Sequence, residues 1–115
     1  MMKFKSKEQM GVTVISLEGN VMGGPDATAL NEKLHSLIDG KKIKVVVDLS
    51  NVDFINSSGL GLLIGGLTAM RKAGGELKLA GASKKIENLL EITKLHKVFD
   101  ICKTAGDAVA AFHSA

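Results

Sequence analysis

Two adjacent serines, Ser57 and Ser58, open an apolar stretch that begins Gly59-Leu60-Gly61-Leu62-Leu63. A hydroxyl in that position has two uses. It can accept a hydrogen bond from an orphan amide of the helix it starts, an N-cap worth about 1 kcal/mol. It can also receive a transferred phosphate, because a helix N-terminus favours negative charge. One serine suffices for the cap, so two in succession leave one hydroxyl free. The other reactive side chains are scattered. His35, His96 and His113 lie far apart, and no His or Cys pair has metal-ligand spacing. Nothing in sequence near Ser57, Ser58 or Cys102 supplies a base to activate a nucleophile. Gly59-Leu60-Gly61 is a fragment of a phosphate-binding loop, but no Gly-Lys-Ser/Thr follows it. Leu62-Leu63-Ile64 stands where a dinucleotide fingerprint needs its third glycine. Asp48 and Asp53 flank the end of a strand and read as turn carboxylates. These residues point to no catalytic set, no metal and no cofactor.

Composition narrows the function classes further. The chain has 115 residues, 45% hydrophobic and 23% charged, which suits one globular domain over 1–115 and excludes disorder as a description of the whole. Aromatics are 3%, four Phe without Trp or Tyr, too few to stack single-stranded nucleic acid. Lys+Arg exceed Asp+Glu by 15 to 12, and the cations occur only as short pairs such as Lys41-Lys42 and Lys84-Lys85. No basic stripe for direct nucleic-acid contact results. A lone Cys102 rules out an intramolecular disulfide and fits a reducing compartment. The start, Met1 to Lys7, has no apolar signal-peptide core, and the longest apolar stretch, Leu60 to Met70, is short and broken by glycine. The expectation is a cytoplasmic domain without membrane insertion.

The elements that must position the serines alternate in period. Residues 3–9 and 12–18 read as strands separated by Gly11. Pro25 and Asp26 open a helix carrying Ala27, Leu30, Leu34, Leu37 and Ile38, which ends near Gly40. Ile43 to Leu49 is a β-branched run expected of a central strand, after which a loop leads to Ser57-Ser58. The second helix carries Leu60, Leu63, Leu67 and Met70 on one stripe and stops at Gly74-Gly75. Gly61 and Gly65, four apart on it, suggest close packing on the sheet in preference to contact with a partner. Glu76 to Leu79 alternates as a strand, and Ser83 caps a third helix through Ile86, Leu89 and Leu90. Val98 to Cys102 reads as a short last strand, and Thr104 to Asp107 as a capping box for a terminal helix with Ala108, Val109 and Phe112. Strands joined by crossover helices imply an α/β sandwich with a mixed or parallel sheet.

The run Val47-Asp48-Leu49, a short polar segment, then Asn56-Ser57-Ser58-Gly59-Leu60-Gly61 resembles the signature of the STAS family, specifically its stand-alone anti-sigma factor antagonists. Gly19-Asn20-Val21, Gly74 to Leu79, Leu95 to Phe99 and Ala108 are similar to further family positions in the same order. The resemblance implies a mixed sheet of four to five strands with about four helices. It implies that Ser57 is phosphorylated by an anti-sigma factor serine kinase of GHKL type and dephosphorylated by a PP2C-like phosphatase. Unphosphorylated, such a domain binds the kinase and frees a sigma factor; it is a switch, not an enzyme. The docking surface so implied comprises Met22, Gly23, Gly24, Asn56, Ser58, Gly59, Gly61 and Leu62. The same family also supplies adaptor subunits of lipid-type ABC transport assemblies, an alternative role. Two positions depart from the pattern: Asn56 replaces the usual Asp before the serines, and Met22 stands where an Asp is common.

Overall fold

A computed structural model describes residues 3–113. The order is β1 (Lys3–Gln9), β2 (Val12–Val21), α1 (Pro25–Asp39), β3 (Lys44–Ile55), α2 (Ser57–Lys72), β4 (Glu76–Ala80), α3 (Lys84–Ile92), a 3-10 turn (Leu95–Lys97), β5 (Ile101–Cys102) and α4 (Ala105–Phe112). The five strands lie side by side in sequence order, β1 antiparallel to β2 and every other pair parallel. The β1–β2 hairpin turns at Met10 and Gly11, both at positive φ as a two-residue loop matched to strand twist requires.

The continuous apolar run of β3 explains the layering. Val45, Val47 and Leu49 face one side, where α1, α2 and α3 bring Leu30, Leu34, Leu63, Leu67, Met70, Ile86 and Leu90 into the main core. Val46 faces the other side, where α4 places Ala108 and Val109 over Val12, Val14 and Ala80. Both faces are covered, so the strand needs no polar alternation. The stripe Leu60, Leu63, Leu67, Met70 expected of the second helix is buried throughout. Pro25 sits in the first turn of α1, and the Ser83 hydroxyl accepts from the Ile86 amide at 3.3 Å. Thr104 accepts from the Asp107 amide at 3.0 Å, the first half of the expected capping box.

Three boundaries differ from the sequence reading, each for a local reason. β2 and β3 do not stop at residues 18 and 49 but pair as far as Val21 and Ile55. Between Ser16↔Asp48 and Glu18↔Asn51, and again between Gly19↔Val52 and Asn20↔Phe54, β3 holds one extra residue. These bulges scramble the period of two, so Ser50, Asn51 and Asp53 imitate a loop while the ladder continues. The Asp48 carboxylate accepts from the Ser50 amide (3.0 Å) and hydroxyl (2.5 Å), satisfying the polar groups of the first bulge. Asp48 and Asp53 therefore lie within a strand, not at its end. The last strand is only Ile101–Cys102, because the amides of Val98 and Phe99 both donate to the Leu95 carbonyl and leave none for a ladder.

Candidate functional site

The bulged ends of β2 and β3 bring two chain segments to the start of α2. The Asn56 amide donates to the Val21 carbonyl at 3.3 Å, which fixes the last residue of the β3–α2 connection against the end of β2. Asn56 is the N-cap: its side-chain oxygen accepts from the Gly59 amide at 2.8 Å. The serines are thus not the cap, contrary to one of the two uses open to them. They occupy the first two helical positions, both exposed, and neither hydroxyl has a hydrogen-bond partner among the described residues. Their amides belong to the first helical turn, where no carbonyl precedes them in the helix. No acidic residue stands in that turn to offset the positive end of the helix. Two free hydroxyls at an unneutralised helix N-terminus result.

An Asp at position 56 would keep this geometry, since either side chain offers an oxygen to the Gly59 amide. Asn56→Ala is expected to lower stability by about 1 kcal/mol through loss of the cap, and Asn56→Asp to retain it. Thermal melts of the three proteins check this; a melt of Asn56→Ala equal to the parent would contradict the capping role.

The other residues expected at the site fall into three groups. Gly23, at φ 81, lies against Ser58: a Cβ on Gly23 would come within 3.0 Å of the Ser58 Cβ. Gly24 is the N-cap of α1 at φ 69, and Met22 beside them is 46% exposed, so the β2–α1 loop flanks the serines. Gly59 is not on a surface. It is buried where α2 crosses the end of β2, with no room for a Cβ beside the Val21 carbonyl, so its part is to let the helix dock. Gly61 and Gly65 correct the packing expectation in the opposite direction. Both are exposed with no atom within 4 Å of a would-be Cβ, and they floor a groove of about 390 Å³ between α2 and α1, with Leu62 in its wall. The glycine that packs on the main core is Gly66, against Leu34 and Leu77. Ser57, Gly61 and Gly65 follow at intervals of four, so the first serine heads the smooth face of α2 while Ser58 leans on the β2–α1 loop.

Cys102 does not join them. It lies in β5, and burial, with Asp100 and Asp107 adding to it against Lys78, pushes its thiol above the ordinary value. A thiol held protonated is a poor nucleophile. Among the described residues no group of His, Cys, Asp and Glu is placed to hold a metal ion, and no helix is long and apolar enough to cross a membrane.

Comparison with known proteins agrees with this architecture. The STAS domain model matches residues 3–108, and the chain belongs to that family. It is 28% identical over 114 residues to BtrV of Bordetella bronchiseptica, named as an anti-sigma factor antagonist, covering 99% of this chain and 97% of that one. It is 34% identical over 89 residues to the anti-sigma-B factor antagonist of Bacillus subtilis, covering 74% and 80%. Among solved structures, the Bacillus cell fate determinant SpoIIAA in its phosphorylated form superposes with a TM-score of 0.75 over 96% of this chain and 99% of that one, at 18% identity.

Proposed function

We propose that this chain is an anti-sigma factor antagonist controlled by phosphorylation of Ser57. Unphosphorylated, it binds an anti-sigma factor that is also a serine kinase of GHKL type, and the sigma factor is released. The kinase moves the γ-phosphoryl group of ATP to Oγ of Ser57, the hydroxyl proton passes to a base of the kinase, and ADP leaves. A PP2C-like phosphatase hydrolyses the ester and restores the binding form. The cytoplasm, where transcription is controlled, is the matching compartment.

The observation that carries this reading is the free Ser57 hydroxyl. Asn56 caps the helix, so Ser57 can be esterified without breaking a structural hydrogen bond. The phosphate adds about −1.5 to −2 charge at neutral pH and meets the unpaired amides and the helix dipole, so the fold tolerates it. A partner seated on Ser57 and the smooth Gly61 face that fits the neutral hydroxyl has to desolvate that charge unless it brings a cation, and the complex weakens. Met22, Gly23, Gly24, Asn56, Ser58 and Leu62 complete the contact surface. The two relatives described above both carry the name of antagonists and neither that of a transport subunit, which favours the switch over the adaptor role.

Incubation with the anti-sigma factor kinase of the same organism and ATP should add one phosphate, mapped to Ser57 by mass spectrometry. Ser57→Ala should take none, and Ser58→Ala should take it as the parent does. Phosphate on Ser58, or on neither serine, would overturn the assignment.

A further inference from the structure

On the strand that leads into the serines, the end of β3 and helix α3 line an apolar groove of about 280 Å³, separate from the one floored by Gly61. Its walls are Phe54 and Ile55 on the strand and Lys85, Asn88, Leu89 and Ile92 on the helix. Lys85, Asn88, Leu89 and Ile92 recur at the spacing of one helical face. The groove leaves large apolar side chains in solvent from both elements: Ile92 on α3 is 78% exposed and Phe54 on β3 41%. The volume lies at the small end of ligand pockets, suited to a large side chain more than to a cofactor.

Charge says what kind of chain covers it. The acids of α3, Glu87 and Glu91, lie elsewhere, around Cys102 and Lys103. The groove therefore holds one formal charge, the Lys85 ammonium, kept at its rim 5.5 Å from the centre of the Phe54 ring. A wholly apolar cover would bury that cation without a partner, so a good occupant brings a carboxylate. Position says which chain. Ile55 is in the wall and Ser57 follows two residues later on the same chain segment, so a protein that docks on Ser57 is the nearest candidate to reach the groove.

We propose that this groove is the anchor point of the antagonist's complex, seating a large apolar side chain of the anti-sigma factor with an adjacent carboxylate paired to Lys85. The inference rests on the function proposed above. It assigns binding energy to a patch that phosphate on Ser57 does not touch.

The test titrates the purified anti-sigma factor of the same organism into the parent protein and into Ile92→Gln, Lys85→Glu and Ser57→Asp. Ile92 and Lys85 are exposed, so melts should show both variants folded. Ile92→Gln is expected to weaken binding roughly 10-fold, the loss typical of an anchor residue. Lys85→Glu should weaken it at least as much and flatten its dependence on salt. If Ser57→Asp loses affinity while both groove variants bind like the parent, the groove is overturned and the switch stands. If the parent itself does not bind, both fall together. If the parent instead self-associates and Ile92→Gln dissolves the dimer, the groove joins two copies of this chain and the proposal is wrong.

Discussion

Ser57→Asp is expected to weaken binding of the anti-sigma factor by roughly 5- to 150-fold, the range of a 1–3 kcal/mol coupling. The same change should leave the melting temperature unchanged or slightly higher. Both halves follow from one geometry. Asn56 already satisfies the Gly59 amide, so Ser57 contributes no cap that Asp would remove. A carboxylate in the first turn of α2, which has no acid of its own, gains about 0.3–1 kcal/mol from the helix dipole. Stability and affinity thus move in different directions. A titration by calorimetry beside a thermal melt separates them; a fall in melting temperature with the lost affinity would point to damage in place of switching.

The largest effect on the fold is expected from a single methyl group at Gly59. Its Cβ would overlap the Val21 carbonyl oxygen and lie 2.8 Å from the Val21 carbonyl carbon and 3.0 Å from Cγ2 of Ile55. Backbone atoms cannot rotate away, and the same Val21 carbonyl accepts from Asn56. Gly59→Ala must therefore lift α2 off β2, at about 3 kcal/mol, the upper end of overpacking costs. A chain of this size should lose roughly 10–20 °C of melting temperature in consequence. Gly65→Ala provides the contrast on the same helix. It meets nothing within 4 Å and should add about 1 kcal/mol through helix propensity. Equal melts for the two alanine variants would contradict the docking geometry.

These cases show which features the sequence makes legible. Helix faces were readable because α2 repeats Leu60, Leu63, Leu67 and Met70 with one period, and Pro25 and Ser83 mark helix starts by local chemistry. The start of α2 is legible because two hydroxyls precede its glycine-rich apolar stretch. Features that depend on contacts distant in sequence are not legible in this way. The bulges that carry β3 to Ile55 exist only opposite β2, so Ser50, Asn51 and Asp53 look like a turn when read alone. Gly59, Gly61, Gly65 and Gly66 are identical letters with different duties. Gly59 admits a carbonyl, Gly66 admits leucines, and Gly61 and Gly65 border open space. Spacing cannot tell these apart, because the neighbour that decides each is on another element. The same holds for Phe54 and Ile92, 38 positions apart in the numbering, whose shared groove appears only once α3 folds beneath β3.

Control of partner binding by one phosphate on Ser57 is tested most directly by titrating the anti-sigma factor into one preparation three times: untreated, stoichiometrically phosphorylated, and phosphorylated then treated with phosphatase. The account predicts tight binding, binding weakened at least about 5-fold, and full recovery, with the fold unchanged by circular dichroism throughout. Equal affinity of the phosphorylated and unphosphorylated forms would contradict it.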